Sequence, residues 1–195
     1  MPAIVVHHLS NSRSLRVLWL LEELGLPYEV VVHPRDPQTQ RSPASLAAVH
    51  PLGKGPVLEH GGRAIIESGA IIEYVTRCLA GGRLAVDPHS PDFPAYQEWL
   101  HFAEGSAMGP LVFDLIYEWT GGGNEALKGF DDAEIERHQR YMEAALASQA
   151  HFVRCGFTAA DVQMGFLLEF AQTRGRLRNC PRLAAYLARM RARPA

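Results

Sequence analysis

The chain has 195 residues, of which 47% are apolar and 21% are charged, as is usual in soluble globular proteins. A chain of this length can bury a hydrophobic core, either in one large domain or in two small ones. The formal net charge of −2 lacks the basic excess of nucleic-acid-binding proteins, and no apolar run reaches the roughly 18 residues that span a membrane. We therefore expect neither a nucleic-acid partner nor a membrane partner.

Cysteine and histidine spacing argues against a disulfide framework and against a metal site. Cys78, Cys155 and Cys180 are odd in number and form no Cys-x-x-Cys pair. His7 and His8 are adjacent, so on a strand they point to opposite faces and cannot chelate one ion together. Because the start of the chain also lacks a signal-peptide pattern, we expect a cytoplasmic protein without a metal.

The first half of the chain is predicted to form a mixed sheet with helices. Its first strand, helix and second strand are typical of a parallel β-α-β unit, because the connection is long enough for a crossover. Gly61 and Gly62 then separate two short strands, as in an antiparallel hairpin. The predicted elements are strands at 3–7, 28–33, 56–59 and 63–66, and helices at 15–24, 44–49 and 67–79. The apolar stripe of the first helix is predicted to contain Leu15, Leu18, Leu21 and Leu24, with Val17 and Leu20 beside it.

The second half shows only helical patterns. Asp131 and Glu134 have the spacing of an acidic capping box, which predicts a helix from that point to about residue 150. Thr158 and Asp161 have the same spacing, and the helix that follows is apolar nearly all round, as in the middle of a bundle. Further helices are predicted at 93–119 and from Pro181 onward.

A proline-rich stretch without periodicity separates the two halves and is typical of a linker. It contains Pro88, Pro91 and Pro94. The expected fold class is α/β plus all-α, with an α/β domain at 1–80, a linker at 81–91 and an all-helical domain at 92–195.

Glu67 and Ser68 begin the helix that closes the first half, and they allow two interpretations. In the first, Ser68 caps the helix and the acidic neighbour stabilises its dipole. In the second, the free N–H groups of the helix bind a carboxylate while Glu67 binds an ammonium group. An α-amino acid carries both charges on one carbon, so the pair can hold the charged end of a small peptide.

Pro56 enters a short strand within the predicted sheet, where a residue without an N–H group is unusual. It is either an ordinary trans proline or a cis proline that presents the backbone of Gly55 to a ligand.

Ser12 precedes the first helix and allows the simple interpretation of a polar turn with a helix cap, together with Ser10, Asn11 and Ser14. The sequence has no Gly-x-Ser-x-Gly motif, and no serine has a recognisable histidine and aspartate partnership, so nothing in it indicates a hydrolase.

Four segments in order resemble the cytosolic glutathione transferase family, especially its serine-type bacterial and fungal members, over nearly the full chain. They are Ser12–Tyr28, which resembles the first helix and turn; Pro51–Leu58, which resembles the cis-proline loop; Glu67–Ile71, which resembles the glutamate–serine pair; and Phe157–Asp161, which resembles the capping box. The resemblance implies a thioredoxin-like, glutathione-binding first domain and a helical second domain. One departure is Gly55, since the family usually has a bulky β-branched residue before the proline.

The resemblance implies glutathione as the co-substrate. The γ-glutamyl end is expected at Glu67 and Ser68, the cysteinyl backbone at Gly55 beside a cis Pro56, and the glycine carboxylate at Lys54 and His50. Ser12 is the expected catalytic residue, because Ser12 and Arg16 keep the spacing of serine-type members. Ser10 and Asn11 remain alternatives for the contact with the thiol.

The implied activity is conjugation of the glutathione thiolate to a small hydrophobic electrophile, in a cytoplasmic, detoxifying homodimer. The second substrate is expected on the helical domain, near His101, Glu104, Met108, Phe113 and Tyr117, although packing explains these residues equally well. Two alternatives are a glutathione-dependent peroxidase or disulfide reductase on the same fold, and a non-catalytic binding module.

Overall fold

The computed structural model describes residues 3–195. The chain divides into two compact units, of which the first ends at Ala85 and the second is Val86–Pro194. The first unit contains a sheet with three helices, and the described residues of the second unit form helices only. The strands are therefore confined to the first unit, as expected for an α/β plus all-α protein. None of the helices between residues 3 and 195 combines the length and the apolar character that crossing a bilayer requires.

The sheet of the first unit has four strands in the order β2-β1-β3-β4. The strands are β1 (Val5–Leu9), β2 (Glu29–His33), β3 (Val57–His60) and β4 (Arg63–Ile65). β1 and β2 are parallel, whereas β3 is antiparallel to both β1 and β4. The predicted β-α-β unit and the hairpin at Gly61 and Gly62 are therefore confirmed, although β1 begins two residues later than predicted.

β1 is central because its residues are paired on both sides and are mostly buried. Val6 is 0% exposed and pairs with Val30 of β2 and Leu58 of β3. Leu9, at the end of β1, packs in one cluster with Leu46 and Val57. This cluster fixes the end of β1 against the segment that leads into β3, which is where the candidate site begins.

The helices of the first unit are α1 (Ser14–Leu24), α2 (Ala44–Val49) and α3 (Ser68–Tyr74), and α3 continues into a π-helical turn, Val75–Leu79. The predicted stripe of α1 is wrong at Leu15, which is 47% exposed. Val17 and Leu20, which were expected beside the stripe, are buried, and the buried face also includes the polar residues Ser14 and Arg16. Leucine spacing misplaced this face because two inward-facing positions of α1 carry polar side chains.

The helices of the second unit are α4 (Phe93–Phe102), α5 (Met108–Trp119), α6 (Glu125–Ala145), α7 (Ala159–Thr173) and α8 (Pro181–Arg191). A π-helical turn, Ala103–Ala107, joins α4 to α5, where the sequence predicts one uninterrupted helix. The Thr158–Asp161 capping box that begins α7 is confirmed. Asp161 also accepts hydrogen bonds from Phe152 N (3.2 Å) and from the hydroxyl of Tyr186 (2.7 Å), so the box ties α7 to its neighbours.

The predicted start of α6 at Asp131 is wrong. The helix begins at Glu125, after Asn124, whose side chain accepts the N–H of Leu127 at 3.0 Å. Asparagine is as good a helix cap as aspartate, and it follows directly after the glycines that end α5. Asp131 lies inside α6 and is only 6% exposed, so its spacing from Glu134 has no capping function. The helix also ends at Ala145, five residues before the predicted end.

Candidate functional site

The residues predicted to bind a ligand on the first unit lie at the ends of its strands and helices. Ser12 is in the turn between β1 and α1, Lys54 to Pro56 precede β3, and Glu67 and Ser68 begin α3. A Cβ atom placed on Gly55 would lie 3.5 Å from Ser12 Oγ. The first two of these segments therefore meet at one place.

Ser12 is 8% exposed, and its hydroxyl oxygen takes part in two contacts with Ser14. The N–H of Ser14 donates to Ser12 Oγ at 3.2 Å, and the two hydroxyl oxygens are 2.8 Å apart. The first contact closes the polar turn before α1, but the N-cap residue of α1 is Arg13 and has no side-chain capping hydrogen bond, so the interpretation of Ser12 as the helix cap is wrong. This contact uses only the acceptor capacity of Ser12, so it is compatible with a second role for the Ser12 proton.

Ser14 connects Ser12 to His8, a contact that sequence reasoning missed. Ser14 is 0% exposed, and its hydroxyl oxygen lies 2.8 Å from His8 Nδ1 and 3.3 Å from the carbonyl oxygen of Leu9. Burial lowers the pKa of His8, so its imidazole is neutral at pH 7. The folding of the turn between β1 and α1 brings His8 into contact with Ser14. The sequence did not reveal this contact, because a histidine and a serine six residues apart do not form a recognisable motif.

Ser10 and Asn11, the alternatives to Ser12, are fixed by their backbones. Arg35 Nε donates to the carbonyl oxygen of Ser10 at 2.8 Å, and Arg35 Nη2 donates to that of Asn11 at 3.3 Å. Asn11 has a left-handed backbone, with φ 49°, and its side chain is exposed. Of the three residues, Ser12 is the one whose hydroxyl lies beside Gly55.

The Gly55–Pro56 peptide bond is cis, which confirms the expected conformation. The packing around position 55 explains why this chain has glycine where the family usually has a bulky residue. A Cβ atom at this position would lie 3.0 Å from Leu9 Cβ, closer than side chains normally pack. Leu9 and Ser12 therefore fill the space that a larger side chain at position 55 requires.

Lys54 and His50, the residues expected at the glycine carboxylate, lie in the segment between α2 and β3. Lys54 is exposed, and within residues 3–195 its ammonium group has no carboxylate partner. His50 is half-buried, and its Nδ1 accepts the N–H of Leu52 at 3.3 Å. The hydroxyl of Ser42 donates to the carbonyl oxygen of Gly53 at 2.5 Å, which holds the segment in place.

Glu67 occupies the N-cap position of α3 with an unusual backbone, φ 67° and ψ 115°. A positive φ is uncommon for a residue other than glycine, and such conformations concentrate at functional sites. The Glu67 side chain is exposed and makes no capping hydrogen bond. Glu67 therefore stands at the start of α3 with a side chain that is accessible to a ligand.

Ser68 is the first residue of α3 rather than its cap, so the simple interpretation of Ser68 as the cap is wrong. Its hydroxyl oxygen is buried and accepts a hydrogen bond from Arg16 Nη1 at 3.4 Å. Arg16 is only 1% exposed, although it lies in the apolar helix α1. This arginine joins α1 to the start of α3, and sequence reasoning used it only as a spacing marker.

The residues proposed for the second substrate are spread along α4, the π-helical turn and α5. His101 is exposed and hydrogen-bonds Gln97, whereas Met108 is 2% exposed and belongs to the core. Glu104 and Phe113 are half-buried. The hydroxyl of Tyr117 donates to Glu125 at 3.1 Å, and it accepts the N–H of Gly123 at 3.3 Å. Packing within the second unit thus accounts for Met108 and Tyr117.

A buried acidic cluster in the second unit was not expected from the sequence. Carboxylate oxygens of Asp114, Asp131 and Asp132 lie within 4.8 Å of one another. Lys128 Nζ lies 3.2 Å from Asp114 and Arg174 Nη2 lies 3.1 Å from it, so these cations already compensate the Asp114 charge. Burial, with a smaller contribution from the Asp114 charge, raises the pKa of Asp131 to about 6.

The family model, the curated relative and the solved structures that are similar to this chain all carry the same family name. Residues 1–77 match the family model for the glutathione S-transferase N-terminal domain. Glutathione S-transferase 3 of Schizosaccharomyces pombe is 34% identical over 184 residues, which cover 87% of this chain and 74% of the relative.

Two solved structures are similar over almost the whole chain. A glutathione S-transferase of Actinobacillus pleuropneumoniae has a TM-score of 0.89 and 27% identity, covering 98% of this chain and 88% of the other. A glutathione S-transferase of Methylobacillus flagellatus, solved with glutathione bound, has a TM-score of 0.84 and 23% identity, covering 98% and 96%. The fold, the family model and the fungal relative lead to one conclusion: the chain belongs to the glutathione S-transferase family.

Proposed function

We propose that this protein is a glutathione transferase in which Ser12 stabilises the thiolate of glutathione for attack on a small hydrophobic electrophile. The observation that carries the proposal is the position of Ser12 Oγ, 3.5 Å from where a side chain on Gly55 would begin. A peptide that pairs its cysteinyl backbone with Gly55 brings its thiol next to this hydroxyl.

The two ends of glutathione have complementary partners on the same unit. Its γ-glutamyl group carries an ammonium and a carboxylate on one carbon, which suits the exposed Glu67 carboxylate and the free N–H groups at the start of α3. Its glycine carboxylate suits the exposed ammonium group of Lys54, with His50 nearby in sequence. Arg16, through Ser68, fixes the start of α3 relative to α1 and thus to Ser12.

The energetic demand on Ser12 is modest. A thiol with a pKa of about 8.5 is only a few per cent ionised at pH 7, and lowering that pKa by about 2 units requires roughly 2.7 kcal/mol. A hydrogen bond to a charged group contributes about 1.5–3 kcal/mol, and the positive end of a helix adds about 0.3–1 kcal/mol. The Ser12 hydroxyl, at the beginning of α1, can therefore supply the stabilisation that the thiolate needs.

A transferase is favoured over a disulfide reductase that uses a protein thiol. Thiol–disulfide exchange through the protein requires a cysteine at the site, whereas the residues that meet at Gly55 are Leu9 and Ser12. The relatives described above are also named glutathione S-transferases.

Other features of the proposal rest on the family resemblance. We expect the 1–80 segment to bind glutathione and the 92–195 segment to bind the electrophile, near His101, Glu104 and Phe113. A detoxifying role, a homodimer and a cytoplasmic location complete the proposal. The three cysteines support such a reducing location, because all of them are free thiols.

Conjugation of glutathione to chlorodinitrobenzene tests the proposed function, with Ser12→Ala as the test variant. We expect the wild-type protein to form the conjugate, and Ser12→Ala to lose about tenfold to a hundredfold in kcat/KM near neutral pH. Ser10→Ala is the matched control and is expected to retain the wild-type rate. Absence of both glutathione binding and conjugation in the wild-type protein would contradict the proposal.

A further inference from the structure

We propose that His8 is a positioning residue that acts through Ser14 to direct the Ser12 proton toward the glutathione sulfur. This inference rests on the proposed function, since it concerns the thiolate that Ser12 is proposed to stabilise. It is carried by three contacts: His8 Nδ1 to Ser14 Oγ at 2.8 Å, Ser14 Oγ to Ser12 Oγ at 2.8 Å, and Ser14 N to Ser12 Oγ at 3.2 Å.

The Ser14 hydroxyl is the central element of this chain of contacts. It has one proton to donate and two lone pairs to accept with, and it is fully buried. Its three neighbours are His8 Nδ1, Ser12 Oγ and the carbonyl oxygen of Leu9, which can only accept. The direction of each hydrogen bond in the chain therefore depends on the direction of the others.

If His8 Nδ1 carries no proton, the chain turns the Ser12 proton inward. Ser14 then donates to His8, and the short contact between the two hydroxyls requires Ser12 to donate to Ser14. If Ser12 donates to a sulfur instead, two hydroxyl oxygens face each other at 2.8 Å with no proton between them. In this arrangement, binding the thiolate breaks an existing hydrogen bond.

If His8 Nδ1 carries a proton, the contacts among His8, Ser14 and Ser12 are all satisfied while Ser12 donates outward, and only the longer contact from Ser14 to the Leu9 carbonyl oxygen, at 3.3 Å, goes without a proton. His8 donates to Ser14, Ser14 donates to Ser12, and the N–H of Ser14 donates to the same Ser12 oxygen. The Ser12 proton is then directed away from Ser14 and is available to a thiolate beside Gly55. A bound thiolate thus selects the tautomer of His8 that has its proton on Nδ1, and His8 in turn stabilises the thiolate.

The test is the pKa of the thiol of bound glutathione, measured from the ultraviolet absorbance of the thiolate as the pH is varied. His8→Leu removes the donor to Ser14, and we expect it to raise this pKa by roughly 0.5–1 unit with little change in the affinity for glutathione. His8→Asn can place an amide N–H near the Nδ1 position, and we expect it to restore most of the shift. His60→Leu, which replaces a histidine of the same unit that hydrogen-bonds Tyr74, is the control and should leave the pKa unchanged.

A double-mutant cycle with Ser14→Ala separates action through Ser14 from a general effect of the imidazole. In the Ser14→Ala background, His8→Leu should cause no further shift. An equal shift in that background overturns the inference, as does an unchanged thiolate pKa in His8→Leu.

The wild-type protein provides a test that does not depend on the folding of any variant. Nitrogen-15 NMR of its histidines in the glutathione complex should show His8 protonated on Nδ1, and a bare Nδ1 overturns the inference. If the wild-type protein binds glutathione as the thiolate and His8 fails these tests, only this inference falls. If it does not bind glutathione, the proposed function falls with it.

Discussion

At the residue scale, the site depends on small side chains at the place where the thiol of glutathione is proposed to lie. Gly55 leaves room for Leu9 and Ser12, since a Cβ atom at position 55 would lie 3.0 Å from Leu9 Cβ and 3.5 Å from Ser12 Oγ. The first distance is tighter than normal packing, so Leu9 must shift by a few tenths of an ångström, whereas the second is ordinary van der Waals contact. Because Leu9 ends β1 just before the turn that contains Ser12, we expect a shift of Leu9 to disturb the hydroxyl that is proposed to stabilise the thiolate.

We predict that Gly55→Val lowers both stability and activity. Overpacking against Leu9 costs about 1–3 kcal/mol, and the disturbed turn at Ser12 should raise the pKa of the thiol of bound glutathione. Thermal unfolding and the thiolate titration measure the two effects. Gly109→Ala is the control, because a Cβ atom at Gly109 meets nothing within 4 Å, and it should not destabilise the protein. Wild-type behaviour of Gly55→Val in both measurements would show that the packing argument is wrong.

Glu67 is proposed to bind the ammonium group of glutathione, and its neutral isostere tests that role. A hydrogen bond to a charged group contributes about 1.5–3 kcal/mol, so Glu67→Gln should weaken glutathione binding by about tenfold to a hundredfold. Titration calorimetry measures the dissociation constant. Glu73→Gln is the matched control, because Glu73 pairs with Arg77 within the same helical segment. The affinity of this variant for glutathione should equal that of the wild-type protein. Equal affinities of the Glu67 and Glu73 variants would exclude the proposed role.

At the scale of the elements, the turn between β1 and α1 and the start of α3 carry the site, and Arg16 joins them. The sequence predicted both elements to within two residues, because apolar periodicity and glycine stop signals are local. It did not predict the buried face of α1, where Ser14 and Arg16 point inward. These polar residues are buried because they hydrogen-bond His8 and Ser68, which are partners that helical periodicity cannot reveal.

The pattern also failed in α6, where a buried aspartate resembled a helix cap. Asp131 is 6% exposed, and its pKa of about 6 means that it is protonated in the folded protein at pH values where the unfolded chain has already lost the proton. The folded state therefore loses stability as the pH rises from about 4 to 6, and the full cost is present above that window.

We predict that Asp131→Asn, which mimics the protonated side chain, stabilises the protein at pH 8 and has little effect at pH 4. The expected gain at pH 8 is roughly 2–3 kcal/mol in the free energy of unfolding, measured by denaturant titration at both pH values. Asp132→Asn is the control of opposite sign, because Asp132 accepts from Arg176 at 2.8 Å and its neutralisation should destabilise the protein. The same gain at both pH values would refute the assignment of the titrating group.

At the scale of the whole molecule, the order of elements and the family were predictable from the sequence, because short motifs carry them. The resemblance of the segment around Pro56 to the cis-proline loop of the family implied a cis bond, and the Thr158–Asp161 spacing predicted a capping box; both are present. The contact between Ser12 and Gly55 and the chain from His8 through Ser14 were not predictable, since they depend on how two loops fold against each other. The residues of the site could thus be predicted from the sequence, whereas the contacts between them could be found only in the structure.

A crystal structure of the protein soaked with glutathione tests the central claim most directly. We expect the sulfur within hydrogen-bond distance of Ser12 Oγ, the cysteinyl backbone paired with Gly55, and the γ-glutamyl ammonium group at Glu67. A sulfur that contacts Ser10 or Asn11 instead, or glutathione bound away from Gly55 and Glu67, would contradict it.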